Sequence, residues 1–217
     1  MKNNKTQLRE SYLQIRNMLS DEFVQFANQN LTRKVIWFIN KYQLKKIGIY
    51  LGAQNEVDTK EIIQFCLLNK IEVYVPKSEL DSNQMQFKRI KNLTTDLVKN
   101  EKWDILEPLA NKPDLVDSND LDVLFMPLVV FDKELNRVGM GKGYYDRWIK
   151  EHDFHKYKIG LAQSSQFTNK IIDADVHDVK LNFVISEKQI HIPLQETEEL
   201  DETLDVTYWR LNEDELD

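Results

Sequence analysis

Five largely apolar runs alternate with segments of helical periodicity, and this alternation constrains the fold more than any other feature. The runs are KIGIYL (46–51), IEVYVP (71–76), LDVLFMP (121–127), YKIGLA (157–162) and VKLNFVIS (179–186). Apolar runs of this length between helical segments are typical of buried strands. The alternation predicts an α/β fold with a mostly parallel, Rossmann-like sheet flanked by helices.

The N-terminus predicts a helical segment that precedes the first strand. Apolar residues recur at helical spacing from Leu8 to Leu19, which indicates one amphipathic helix over about residues 3–18. Ser20 is placed to cap a second helix. The run MQFKRI (85–90) predicts a further, more exposed strand, and a helix is expected over 144–151.

Charge divides the chain into a body and a tail. Residues 195–217 contain ten acidic residues and one arginine, which gives this segment a net charge of −9. The remaining body has a net charge of +2, so the whole chain carries −7. We expect one α/β domain over 1–194 and an acidic C-terminal tail over 195–217. A mildly basic body suits a small anionic ligand and lacks the basic face that nucleic-acid binding needs.

Neither a membrane segment nor a secretory signal is expected. The longest apolar run, VLFMPLVVF (123–131), is interrupted by a proline and is too short to span a bilayer. The N-terminus MKNNKTQLRESY has no apolar core of a signal peptide. Cys66 is the only cysteine, so no internal disulfide can form. These features predict a cytoplasmic protein.

The stretch RVGMGKGYYDR (137–147) contains three of the six glycines of the chain, together with three basic residues. Alternate glycines let backbone N–H groups approach a ligand, and the helix predicted after them offers a positive N-terminus. The spacing matches neither a Walker A loop nor a dinucleotide fingerprint. A phosphate site is the functional interpretation, and a tight glycine turn without a ligand is the structural alternative.

The same region resembles a known family. MPLVVFDKELNRVGMGKGYYDRWI (126–149) resembles the signature of the 5-formyltetrahydrofolate cyclo-ligase family, also called 5,10-methenyltetrahydrofolate synthetase. KTQLR (5–9) and IYLGAQNEVDT (49–59) resemble two further blocks of that family, and WDILEP (103–108) and VHDVKLNFVIS (176–186) resemble weaker ones. The resemblance covers about residues 3–190. Asn182 stands where the family often has aspartate.

The resemblance implies a reaction and a set of partners. The family uses ATP to close 5-formyltetrahydrofolate into 5,10-methenyltetrahydrofolate, with release of ADP and phosphate. The implied ligands are therefore ATP, as co-substrate, Mg²⁺ as cofactor, and the folate, with or without a polyglutamate tail. The implied assembly is a monomer or a weak homodimer, with no nucleic-acid or membrane partner.

The resemblance also assigns roles by position. The implied ATP contacts are Lys5, Arg9, Arg137, Gly139, Gly141, Lys142, Gly143 and Tyr144. The implied folate contacts are Leu51, Glu56, Trp103, Tyr144 and Tyr145. Asp146 and Asp178 would hold Mg²⁺, and the residues expected to act in catalysis are Glu56, Lys142 and Arg137.

The chemistry accounts for these residue types. A formamide oxygen leaves poorly, so its phosphorylation to an iminophosphate is expected before N10 attacks. Phosphoryl transfer needs charge neutralisation and positioning, which a basic loop and Mg²⁺ supply. A fixed carboxylate such as Glu56 would favour the cationic N5–C–N10 unit. Two alternatives are a non-catalytic nucleotide-binding regulator and a sugar-phosphate or small-molecule kinase-like enzyme on a related α/β fold.

Overall fold

A seven-stranded sheet lies at the centre of the computed structural model, which describes residues 4–53, 55–79, 84–101 and 104–192. The strands of the described residues are β1 Lys46–Ile49, β2 Glu72–Ser78, β3 Met85–Ile90, β4 Leu97–Asn100, β5 Ile105–Pro108, β6 Val123–Pro127, β7 Val130–Asp132, β8 Arg137–Val138, β9 Tyr157–Leu161, β10 Phe167–Thr168, β11 Phe183–Ile185 and β12 Ile190–His191. The α-helices are α1 Asn4–Asn17, α2 Asp21–Lys41, α3 Lys60–Leu68 and α4 Tyr144–Glu151.

The order of the strands reverses between β1 and β6. The sheet runs β12-β11-β9-β6-β1-β2-β3, with β2, β1, β6, β9 and β11 parallel and an antiparallel strand at each edge. The chain builds outward from β1 to β2, then crosses back to β6 on the other side. In doubly wound sheets such a reversal opens a crevice at the carboxyl ends of the strands. The predicted α/β fold is confirmed, and the rule for doubly wound sheets makes the carboxyl ends of β1 and β6 the candidate place for a ligand.

Helices cover both faces of this sheet. Side chains of α2 and α3, among them Val35 and Cys66, pack in one core cluster with one face, and Trp148 of α4 packs in a second cluster with the other. The prediction that β3 is more exposed was wrong at Phe87, which is 1% exposed. The ring of Trp148 covers it, with the two ring centroids 4.7 Å apart.

The predicted N-terminal helices are both present. The Ser20 hydroxyl accepts a hydrogen bond from the Phe23 N–H at 3.2 Å, which confirms the predicted cap of α2. Helix α1 docks on a small three-stranded sheet of order β10-β7-β8, where Leu8 packs with Val130 and Val138. The small sheet was not predicted, because it divides the apolar run 123–131 between β6 and β7.

Two predictions fall on parts of the chain that the structure does not describe. The acidic tail over 195–217 and Trp103 both lie outside the described residues. The division into one domain and a tail therefore stays a prediction. Within the described ranges, no helix combines the length and the apolar character that crossing a bilayer requires.

Candidate active site

The loop that follows β1 holds Glu56 on a tightly tied turn. Thr59 is fully buried and donates from its hydroxyl to the Tyr50 carbonyl at 2.6 Å, while it accepts from the Gly52 N–H at 3.3 Å. A methyl group on Gly52 would lie 2.4 Å from the Val57 carbonyl oxygen, so only glycine fits there. These contacts fix the path of the backbone through Glu56, at the carboxyl end of the sheet.

Glu56 itself is a carboxylate largely removed from water. Burial raises the pKa of Glu56 above its ordinary value, whereas a hydrogen bond from the Ala53 N–H and the positive charge of Arg16 lower it. The Ala53 N–H donates to Oε2 at 3.2 Å. Because burial outweighs the other two effects, the carboxyl pKa lies closer to neutrality than that of an exposed glutamate.

Two tyrosines flank this carboxylate. Burial raises the pKa of Tyr50 and of Tyr145, and the negative charge of Glu56 raises both further. Both hydroxyls are buried and make no hydrogen bond within the described part of the chain. An unsatisfied buried hydroxyl is costly, so these groups are suited to polar atoms of a ligand. The charge of Arg137 lowers the pKa of Tyr145, but burial outweighs this effect.

The glycine loop leads directly into α4. Gly141 and Gly143 have φ values of +89° and +65°, and Gly143 stands immediately before the first residue of the helix. Residues other than glycine rarely adopt these angles. The loop thereby presents the first N–H groups of α4, where the helix dipole favours an anion such as phosphate.

Basic residues from two helices surround this loop. Arg9 of α1 donates from Nε to the Gly139 carbonyl at 2.7 Å, although 130 residues separate the two. Arg147 of α4 donates from Nη2 to the Lys142 carbonyl at 2.7 Å. The backbone carbonyls of the loop are thus drawn toward the arginines, and the side chain of Lys142 is exposed.

Gly141→Ala is expected to weaken ATP binding, since a methyl group there would lie 3.1 Å from Cζ of Arg9 and the residue would need a strained positive φ. The strain costs roughly 1–2 kcal/mol per residue. Gly139→Ala is the matched control, because a methyl group on Gly139 meets nothing within 4 Å. Calorimetric titration with a non-hydrolysable ATP analogue compares the two variants. Equal affinities would show that the loop tolerates a side chain at Gly141.

Two ion-pair clusters lie beside the loop. Lys5 pairs with Asp178 and also with Asp175, the latter at 2.5 Å. Burial alone would lower the pKa of Lys5, but its hydrogen bonds to the two carboxylates outweigh burial and raise it. For Asp178 the directions are reversed: burial alone would raise its pKa, but the hydrogen bonds from Lys5 and from the Asp175 N–H outweigh burial and lower it.

The second cluster joins Asp146 to Arg137. Arg137 donates from Nη2 to Oδ1 of Asp146 at 2.9 Å and from Nη1 to the Val179 carbonyl. The Val179 N–H donates to the same Oδ1 at 2.9 Å. Both contacts of Asp146 use Oδ1, and Val179 directly follows Asp178 in the chain. The two predicted metal ligands therefore flank one short segment beside the glycine loop.

The donor set suits a magnesium ion that is held mainly by a nucleotide. Mg²⁺ in nucleotide sites commonly binds one or two carboxylates together with phosphates and water. Among the described residues no group of three or more His, Cys, Asp or Glu side chains gathers into a metal cage. Asp146 and Asp178 are thus compatible with a shared nucleotide–metal site. Their role as ligands stays a prediction.

Other predicted contacts lie around the same crevice. Leu51 lies two residues beyond the end of β1 and packs, half-buried, against the core. Tyr144 is the first residue of α4, and the guanidinium of Arg147 lies 5.6 Å from its ring centroid. Trp103, a predicted folate contact, lies outside the described residues.

Comparison with known proteins decides the family. The model of the 5-formyltetrahydrofolate cyclo-ligase family matches residues 1–187. This chain belongs to that family. The 5-formyltetrahydrofolate cyclo-ligase of Mus musculus is 34% identical over 165 residues, which span 72% of this chain and 80% of the mouse protein. That of Mycoplasma genitalium is 31% identical over 186 residues, or 83% of this chain and 96% of the relative.

Solved structures of the cyclo-ligase family share the fold. The NMR structure of 5,10-methenyltetrahydrofolate synthetase from Aquifex aeolicus has a TM-score of 0.75 and 27% identity, covering 91% of this chain and 96% of that one. The synthetase from Mycoplasma pneumoniae has a TM-score of 0.68 and 28% identity, covering 85% and 99%. The expected family is confirmed, and with it an ATP-dependent ligase of folate one-carbon metabolism. The kinase-like and regulator alternatives have no such support.

Two buried residues beside the candidate site were not singled out from the sequence. Arg16 and Tyr50 are both neighbours of Glu56 that the structure buries. A signal for Arg16 was present, because it stands four residues after Tyr12 and eight after Leu8, on the stripe that faces inward. Tyr50 gave no signal, since a tyrosine at the end of an apolar strand is ordinary core.

Proposed function

We propose that the crevice beyond β1 and β6 closes 5-formyltetrahydrofolate to 5,10-methenyltetrahydrofolate by phosphorylating the formyl oxygen with ATP. The observation that supports this most is that one helix, α1, reaches both loops: Arg9 donates to the Gly139 carbonyl at 2.7 Å, and Asn17 accepts from Asn55 of the Glu56 loop at 3.2 Å. It joins a polar pocket suited to folate with a basic loop suited to phosphate. Membership of the cyclo-ligase family, whose members bear this activity in their names, supplies the reaction.

The nucleotide half is built from the glycine loop and α1. We assign the phosphates to the N–H groups at the start of α4, with Lys142 as an exposed point charge beside them. Arg9 stabilises the loop through the Gly139 carbonyl. Lys5 and Arg137 add positive charge from the two ion-pair clusters. Preorganised cations stabilise the charge that develops on a transferring phosphoryl group.

Asp146 and Asp178 would hold Mg²⁺ at this half of the site, where the ion would neutralise charge on the phosphates and orient the γ-phosphate. The residues of the chain prepare that arrangement themselves. Arg137 and the Val179 N–H fix Asp146 through Oδ1, and Lys5 fixes Asp178. The carboxylates are thereby oriented before any ligand arrives.

The folate half is built around Glu56. The formyl oxygen attacks the γ-phosphorus, ADP leaves, and the formyl carbon becomes an O-phosphorylated iminium at N5. N10 then attacks that carbon, the C–O bond breaks, phosphate departs and N10 loses its proton. Glu56 stabilises the positive charge that spreads over N5–C–N10, and its raised pKa suits it to accept the N10 proton. Tyr144, Tyr145 and Leu51 line this half of the site.

The methenyl product is expected only when protein, 5-formyltetrahydrofolate, ATP and Mg²⁺ are all present. Methenyl absorbance, followed while each component is omitted in turn, checks this expectation. ADP release must match methenyl formation one to one, because each turn phosphorylates one formyl oxygen. Full activity without ATP would contradict the phosphorylation step. ATP binding without any folate turnover would instead favour a nucleotide-binding regulator.

Three finer features are also part of the proposal. The enzyme acts as a monomer or weak homodimer, accepts polyglutamylated folate, and works in the cytoplasm. The body of the chain is close to neutral, so no large negative potential opposes the binding of an anionic polyglutamate tail by cationic side chains. Analytical ultracentrifugation and a comparison of KM values for mono- and pentaglutamate substrates check the first two.

A further inference from the structure

Asp132 is a fully buried carboxylate at the end of β7, where the β7–β8 turn (132–136) begins. Its Oδ1 accepts hydrogen bonds from the Glu134 N–H at 2.9 Å and from the Asn136 N–H at 3.0 Å. Its Oδ2 accepts from Nδ2 of Asn136 at 3.0 Å and from the Ile172 N–H at 2.8 Å. These four neutral donors compensate the carboxylate for the water that it loses on burial.

One of the four bonds joins two distant segments. Ile172 lies 40 residues further along the chain, in the connection from β10 to β11 that also carries Asp178. The other end of this connection is tied to the same turn, because the Leu181 N–H donates to the Leu135 carbonyl at 3.2 Å. The β7–β8 turn therefore holds the segment 172–181 at both of its ends.

The β7–β8 turn has a backbone conformation that its sequence does not favour. Leu135 has a φ of +59°, in the left-handed region that leucine rarely adopts. Its side chain is buried in one core cluster with Trp148, and its N–H donates to the Asp132 carbonyl at 3.0 Å. A residue in such a conformation persists only where its surroundings fix it. The hydrogen bonds to the Asp132 carboxylate are part of that support.

Both segments that the buried carboxylate joins reach the phosphate half of the site. Arg137 directly follows the β7–β8 turn and donates to the Val179 carbonyl and to Asp146. The Val179 N–H also donates to Asp146 at 2.9 Å, and Asp178 is the residue before it. A shift of the turn relative to the segment 172–181 would therefore displace the carboxylates that flank the glycine loop.

We propose that Asp132 is a positioning residue for the phosphate half of the site, whose carboxylate keeps the segment of Asp178 in register with Arg137. The inference rests on the function proposed above, in particular on the assignment of ATP to the glycine loop. A carboxylate suits the task, because it can accept all four hydrogen bonds and has no hydrogen that would repel a donor. Because it is fully buried, it acts through the two segments that it joins.

Asp132→Asn is expected to raise the Kd of a non-hydrolysable ATP analogue, measured with Mg²⁺, by about tenfold, which corresponds to the loss of one hydrogen bond to a charged group. The amide keeps the size of the side chain, but its NH2 group must face donors that the carboxylate accepted. The Kd of 5-formyltetrahydrofolate should stay at the wild-type value, because the Glu56 loop belongs to another connection. Calorimetric titration measures both.

Asn136→Ala is the matched control for this substitution. It removes the side-chain donor to Oδ2 of Asp132 but leaves the bond from the Ile172 N–H in place. The Kd of the ATP analogue should therefore not change. Equal losses of affinity in Asn136→Ala and Asp132→Asn would overturn the proposal, since the bond between the two segments would then not be the one that matters.

A purely structural role predicts a different result for Asp132→Asn. A protein that is only less stable would bind both ligands with wild-type Kd values in its folded fraction, and only the number of binding sites would fall. That outcome would overturn the positioning role. Selective loss of affinity for the ATP analogue, with unchanged affinity for the folate, supports it.

Native-state hydrogen exchange of the wild-type protein gives a test that does not require the variant to fold. The N–H groups of Glu134, Asn136 and Ile172 share one carboxylate, so they are expected to exchange through a common opening with the same free energy. The ATP analogue with Mg²⁺ should slow all three together. An Ile172 N–H that opens independently of the other two would contradict the proposal.

These measurements separate failure of this inference from failure of the proposed function. If the wild-type protein forms no methenyl product but Asp132→Asn selectively weakens binding of the ATP analogue, the proposed function is wrong and the positioning role stands. If the product forms and Asp132→Asn binds the analogue with wild-type affinity, the positioning role is wrong and the function stands.

Discussion

Glu56→Gln is expected to lower kcat by about 10²- to 10³-fold, the usual cost of removing one preorganised electrostatic contact from a transition state. Glutamine keeps the oxygen that accepts from the Ala53 N–H, so the turn should remain folded while the charge is lost. The affinity for ATP should not change, because the nucleotide half is built by the glycine loop and α1. Pre-steady-state methenyl absorbance and ATP titration measure the two quantities separately.

Glu61→Gln is the matched control for this substitution. Glu61 is an exposed glutamate in the first turn of α3, five residues beyond Glu56, and should tolerate the same change. If Glu56→Gln turned over at the wild-type rate, Glu56 would be only a cap for the Ala53 N–H. The charge of the carboxylate would then have no part in the chemistry.

Asp146→Asn is expected to reduce kcat/KM by at least about 10²-fold and to raise the Mg²⁺ concentration needed for half-maximal activity. The neutral amide is a poorer ligand for a hard cation. The substitution also leaves the Arg137 guanidinium, which is largely buried, without its ionic partner. Titration of Mg²⁺ at saturating ATP measures the displacement, and a thermal melt shows whether the fold is retained.

Asp173→Asn provides the control for a lost carboxylate on the neighbouring connection. Asp173 is exposed and accepts a hydrogen bond from Asn4 at 3.0 Å. It should show wild-type Mg²⁺ dependence. An Asp146→Asn enzyme with unchanged activity and unchanged Mg²⁺ dependence would remove the metal assignment, and Asp146 would then be a structural partner of Arg137.

The interest of the site lies in how distant segments supply its parts. Arg9 reaches Gly139 across 130 residues, and Lys5 reaches Asp178 across 173. Both come from α1, which docks on the small sheet. One N-terminal helix therefore supports the phosphate loop through its first turns and the Glu56 loop through its last. Any change in its docking would affect both halves together.

The sequence by itself determined the elements and the character of the loop. Helical periodicity located α1 and the Ser20 cap located the start of α2, because hydrophobic spacing and capping are local properties. The apolar strands and the glycines at 141 and 143 could likewise be predicted, because burial requires apolar residues and a positive φ favours glycine at those positions. Family motifs then assigned the chemistry.

Only the tertiary structure decided which groups meet and which charges are buried. The reversal of strand order between β1 and β6 brings the carboxyl ends of these two strands together, and no local pattern encodes that order. Phe87 is buried because Trp148 covers it, although the sequence predicts a more exposed strand there. A partner from a distant segment sets both burial and pKa, because desolvation and charge act through space and not along the chain.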